Sequence, residues 1–118
     1  MILDAGVFIA LDDPTRRGVI VALVQKMIAE GTPPSTNTAA LAQAWRSPAT
    51  QVPMTRLINA TTVHPFGDPR TIGLRCATTD TSDVVAASLA VLADQRGQPN
   101  LTTEPEDFTR LGAPHQRL

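Results

Sequence analysis

The chain has 118 residues, 42% of them apolar, enough to bury one core and too few for two domains that each bury their own. Its 10 Lys and Arg stand against 11 Asp and Glu, so there is no whole-protein field to hold a polyanion, and any nucleic-acid contact must come from a local patch. Cys76 is alone, which excludes an intramolecular disulfide framework and a cysteine-based zinc site and fits a reducing cytoplasm, with Cys76 itself a small packing residue.

The first apolar run, Met1 to Leu11, is interrupted by Asp4, closes on Asp12 and Asp13 and has no positive residues before it, a poor match to a signal peptide. No stretch approaches the roughly 20 apolar residues of a membrane span. Met1 to Asp4 predicts a buried strand that delivers an acid at its C-terminal end, followed by a short helix over Gly6 to Leu11. Asp13-Pro14 supplies an N-cap and a first-turn proline. Ile20, Leu23, Val24, Met27 and Ile28 then share a helical face, and Gly31 ends a helix over Pro14 to Glu30.

Thr32 to Ser35 predicts a turn with at most a short strand, because two prolines remove ladder donors. Asn37 or Thr38 caps a helix over Ala39 to Arg46, with Leu41 and Trp45 on one face and Trp45 expected against the first long helix or at a subunit contact. Ser47-Pro48 restarts a helix toward Ile58, with Pro53 as its true start or a kink, and Thr61 to His64 is a short strand. Asp68-Pro69 opens a helix to about Ala77, and an Ala-, Val- and Leu-rich helix runs from Asp83 to Gln95 and ends at Gly97. Leu101 to Thr103 is a weak strand. Thr103 and Glu106 have capping-box spacing for a last helix to Leu111, and His115 falls in a tail expected to be mobile. Alternating strands and helices predict an α/β fold with a mainly parallel sheet, whose sites lie at the carboxyl ends of its strands.

Acids occupy special places in this plan: Asp4 at a strand end, Asp83 in the first turn of a helix, Glu104 and Asp107 at a strand-to-helix junction. Each has a structural explanation of its own, since an acid in a first turn complements the helix dipole and Asp107 can be solvated. Asp4 resists that explanation because its neighbours are apolar and an unpaired buried carboxylate is costly. Carboxylates gathered from distant positions repel one another unless a divalent cation sits among them, and hard oxygen ligands favour Mg²⁺ or Mn²⁺.

The opening Met1-Ile2-Leu3-Asp4-Ala5-Gly6-Val7-Phe8-Ile9-Ala10-Leu11 resembles the first motif of PIN domains, the nuclease fold of VapC-type toxins from toxin-antitoxin pairs. Leu41 to Arg46 is similar to that family's Leu-Ala-Glu-Val-Trp-Arg segment, Ser82 to Ala87 to its third acidic motif, and Thr102 to Phe108 to its fourth. The resemblance covers nearly the whole chain, residues 1–118, in the family's order. It implies a three-layer sandwich with a central sheet flanked by helices, and a Mg²⁺- or Mn²⁺-dependent endoribonuclease. It further implies Asp4, Asp83 and Glu104 as metal-site acids with Asp107 in support, a homodimer, a small cognate antitoxin and a cytoplasmic location.

The chain departs from the family pattern at several positions. Gln43 stands at the second acid, Ala86 stands where many members carry a further Asp, Glu104 replaces the commoner Asp, and Pro99 and Asn100 replace apolar residues. Gln43 keeps the shape of Glu but loses its charge and cannot accept a proton near neutral pH, so metal affinity should fall. The alternative to a weakened ribonuclease is therefore a PIN-like protein that has lost cleavage and binds RNA or an antitoxin. Arg16, Arg17, Arg46 and Arg75 are the candidate RNA contacts, although arginines serve solvated helix faces equally well. His64 and His115 have no ligand spacing for zinc, and with one Trp, three Phe and no Tyr, base stacking cannot be a main binding mode.

Overall fold

A computed structural model describes residues 1–45 and 51–118. Arg46 and the Ser47-Pro48 helix restart lie outside the described residues. In chain order the described elements are β1 (Ile2–Leu3), α1 (Ala5–Ile9), a 3-10 turn (Ala10–Asp12), α2 (Pro14–Ala29), β2 (Ser35–Asn37), α3 (Thr38–Ala44) and α4 (Gln51–Asn59). They continue with β3 (Thr62–His64), α5 (Pro69–Thr78), α6 (Val84–Arg96), β4 (Asn100–Thr102), α7 (Pro105–Arg110) and β5 (His115–Arg117).

The strands form one sheet in the order β3-β2-β1-β4-β5 with every neighbouring pair parallel. From β1 the chain steps outward through β2 to β3, then crosses back to β4 and outward the other way to β5. Parallel crossovers are right-handed, so the two directions put their helices on opposite faces of the sheet, which gives three layers. The connections leaving β1 and β4 diverge, and that divergence opens a crevice at the carboxyl ends of these two central strands.

The central helix, α6, has Ala86, Ala87, Ser88, Leu89, Ala90, Leu92 and Ala93 buried. Its small side chains let the helix axis approach β1 and β4 closely. Gly97 ends it at φ 62°, a left-handed position that favours glycine. Around it Ile2, Leu3, Phe8, Leu11, Ile20, Met54, Ile72 and Phe108 are among the large side chains sealed from solvent. Asn37 caps α3 through the Ala40 N–H (2.9 Å) and donates to Ser88 (2.9 Å), tying β2 to α6 inside the core.

Several expectations from the sequence are corrected. The strand near Pro33-Pro34 begins after both prolines, so its ladder donors are intact, and Thr36 adds a hydroxyl bond to the Leu3 carbonyl at 2.8 Å. Residues 115–117 form an edge strand on β4 where a mobile tail was expected, with Asn100, Leu101 and Thr102 opposite His115, Gln116 and Arg117. The Thr103–Glu106 capping box does not form; Glu104 holds the N-cap position of α7 and makes no side-chain cap bond. α3 ends before Trp45, which takes extended backbone and stays 47% exposed, so it is not buried against α2. Ile28, expected on the buried stripe of α2, is 49% exposed. Among the described residues no helix is long and apolar enough to cross a membrane.

Candidate functional site

The crevice at the ends of β1 and β4 is a cleft of about 510 Å³. Its walls include Asp4, Gly6, Asp12, Asp13, Arg16, Gln43, Asp83, Ala86, Thr103, Glu104 and Asp107. Among the described residues, six carboxylates therefore face one guanidinium across this cleft. They come from four segments: Asp4 leaves β1, Asp12 and Asp13 lie at the corner before α2, Asp83 opens α6, and Glu104 and Asp107 flank the start of α7.

Asp4 is the best-held member. Its Oδ1 accepts the Ala5 N–H at 2.7 Å as the N-cap of α1, and its Oδ2 accepts the Thr102 hydroxyl at 2.8 Å. The same Thr102 oxygen accepts the Glu104 N–H at 2.8 Å. A chain of bonds thus runs from the start of α7 through a fully buried β4 side chain to the end of β1. Burial pushes the Asp4 carboxyl above its ordinary value; the bonds from Thr102 and Ala5 oppose that, and the charges of Asp83 and Asp107 reinforce it. Asp83 and Asp107 are therefore close enough for Asp4 to feel both.

Asp83 is the N-cap of α6, where its Oδ1 accepts the Ala86 N–H at 3.0 Å, so one oxygen is structural and the residue remains exposed to the cleft. Ala86 is buried in the cleft wall, at the position where a further Asp was expected from the family. Glu104 and Gln43 are exposed, and Asp107 is half-buried. Gly6 allows α1 to lie against Thr103, because a Cβ there would collide with the Thr103 hydroxyl.

Of the candidate RNA contacts among the described residues, Arg16, Arg17 and Arg75, only Arg16 lines this cleft. Arg17 donates through Nε to the Leu11 carbonyl at 2.8 Å and borders a separate apolar groove between α2 and α4. Arg75 is fully engaged: it pairs with Asp94 at 2.6 Å and donates twice to the Leu111 carbonyl, at 3.0 and 2.8 Å. Asp12, Asp13, Thr102 and Thr103 were not anticipated at the site. The available signal was positional: Asp12 and Asp13 close the apolar run that Asp4 interrupts, and Thr102 is a strand residue just ahead of the Glu104 junction.

Oxygen donors of this kind suit a hard divalent cation in charge and chemistry. The arrangement is open, however: among the described residues no three His, Cys, Asp or Glu side chains form a group able to hold a metal ion. Two oxygens are also committed to backbone N–H groups, one on Asp4 and one on Asp83.

No protein-family model and no curated protein matches the chain. Among solved structures the chain is similar to the crystal structure of PAE2754 from Pyrobaculum aerophilum, with a TM-score of 0.70 and 14% sequence identity over 97% of this chain and 81% of that one. At that identity the likeness shows the fold alone, an α/β arrangement with a five-stranded parallel sheet flanked by helices.

Proposed function

We propose that the chain is a metal-dependent endoribonuclease of the PIN type, weakened by Gln43. The observation that supports it most is the meeting of Asp4, Asp83, Glu104 and Asp107 in one cleft at the switch point of the sheet, with Asp4 under the field of two of the others. Helix capping accounts for one oxygen each of Asp4 and Asp83, but it does not account for Glu104 and Asp107 joining them in the same cleft, and the mutual repulsion of the four opposes it.

Asp4, Asp83 and Glu104, which form no closed metal group as they stand, would have to draw together around Mg²⁺ or Mn²⁺ to hold it, with Asp107 adding negative charge nearby. Such an ion supplies Lewis acidity toward a phosphodiester and lowers the pKa of bound water. The chain's own part is to orient and to focus charge. Thr102 fixes the Asp4 carboxylate, and Ala5 fixes its second oxygen. Gln43 presents an amide that can orient water by hydrogen bonding but cannot take its proton near neutral pH. The cognate antitoxin, the homodimer and the cytoplasmic location belong to this proposal through the family resemblance.

A second reading is supported by Gln43 and by the open arrangement of the acids: a PIN-like module that binds RNA or an antitoxin without cutting. The deciding experiment is cleavage of labelled RNA with Mg²⁺ or Mn²⁺, with and without EDTA, beside Asp4→Asn and Asp83→Asn. Metal-dependent cleavage that both substitutions abolish supports the enzyme. Retention of cleavage in both, or no cleavage at millimolar metal, retires it.

A further inference from the structure

We infer that Arg16 anchors a phosphate of the RNA at the rim of the acidic cleft, an assignment that rests on the ribonuclease reading and deepens it. Arg16 is exposed, lines the cleft beside Asp12 and Asp13, and makes no hydrogen bond or ion pair with any described residue. Two other described candidate arginines are bonded within the fold. Arg17, the next residue, closes the 3-10 turn through the Leu11 carbonyl, and Arg75 pins α5 to the end of α7.

Helix stability does not explain Arg16 either. Asp13 caps α2 and Pro14 opens it, which places Arg16 in the first turn, where the helix dipole disfavours a cation. Neutralisation of the acids does not explain it, because the guanidinium pairs with none of them. What remains is a planar, fully charged donor fork standing free in a cleft that is otherwise negative. A guanidinium matches a phosphate bidentately, and this position would hold a phosphodiester against the outer wall while its neighbour faces the acids. An acidic peptide offers the same charge, but a cleft with six carboxylates repels a run of carboxylates with nothing gained at the acid end.

The test measures binding of a labelled single-stranded RNA oligonucleotide of mixed sequence by fluorescence anisotropy across a salt series with Mg²⁺ present, with cleavage followed in the same samples. Arg16→Ala should weaken binding about tenfold and flatten the slope of log affinity against log salt by about 0.7, the loss of one phosphate contact on a single strand. Arg16→Lys should recover the slope but not the full affinity. Arg16→Ala should melt no lower than the parent protein, which separates lost contact from lost fold. A parent protein that cuts RNA while Arg16→Ala keeps its slope and affinity overturns the Arg16 assignment and leaves the ribonuclease reading standing. Neither binding nor cleavage by the parent at any salt overturns both. Arg16-dependent binding of polyglutamate without binding of RNA overturns the assignment in favour of a protein partner.

Discussion

The Thr102 hydroxyl joins the two central strands at the point where the acids gather: it donates to Asp4 Oδ2 at 2.8 Å and accepts the Glu104 N–H at 2.8 Å. Thr102 is fully buried, so neither partner can turn to bulk water through its place. Thr102→Val keeps the shape and removes both bonds, leaving a buried acceptor and a donor unmet. The expected cost is about 1–3 kcal/mol, or a fall in Tm of roughly 4–12 °C. Thr102→Ser should recover most of it. Thermal melts that leave Thr102→Val equal to the parent would show the relay to be without weight.

The Asp4 carboxyl titrates above its ordinary value because burial and the charges of Asp83 and Asp107 disfavour the anion. The folded state therefore holds this proton more tightly than the unfolded state does. The associated stability is fully present below the unfolded pKa, about 3.9, and is lost as pH rises through the higher folded value. Above that folded value, without metal, the ionised Asp4 is a burden on the fold. Asp4→Asn should melt higher than the parent near neutral pH, and the gap should narrow as pH falls toward about 4. A gap that widens on acidification would contradict the direction of the shift.

Divalent metal should relieve the same burden. At about ten times its Kd, Mn²⁺ would contribute about 1.4 kcal/mol and raise Tm by roughly 5 °C, with Asp4→Asn and Asp83→Asn responding far less. Gln43→Glu adds a carboxylate to the cleft wall. It should lower metal-free stability, tighten Mn²⁺ about tenfold by calorimetric titration, and raise the cleavage rate. If Gln43→Glu alone releases cleavage, the native chain is the binding module; if metal affinity does not move, Gln43 is not at the ion.

Arg75 is expected to matter to the fold and not to RNA. Its pairing with Asp94 is partly exposed and worth little, but its two bonds satisfy the Leu111 carbonyl beyond the end of α7. Arg75→Ala should cost about 1–3 kcal/mol in a denaturant titration while leaving RNA affinity and its salt slope unchanged. A loss of affinity without a loss of stability would return Arg75 to the interface.

Helices and their starts were the readable part of the sequence, because Asp13-Pro14, Asp68-Pro69 and the Ala-rich run after Asp83 combine capping chemistry with periodicity. The edge strand at His115 was unreadable: three polar residues carry no alternation, and their pairing is decided by the exposed flank of β4. β2 was obscured for a similar reason, since Ser35, Thr36 and Asn37 are buried through hydrogen bonds rather than apolar surface. The capping box failed because α7 starts one residue later than it requires, with Glu104 at the N-cap, while Thr103 lies against Gly6, a tertiary contact that no local spacing announces. The acids at the site were legible as candidates from strand ends and helix starts. Which arginine joined them was not, because Arg16 and Arg17 differ only in the face of α2 on which they fall.

Because β5 shields the outer side of β4, the last stretch of the chain does a protective job. Trimming it away would bare a short run of backbone donors and acceptors on the strand that carries Thr102, a ready template for self-association. Purification handles or fusions at the C-terminus therefore need a spacer that leaves Leu118, whose N–H reaches the Thr102 carbonyl at 2.9 Å, in place.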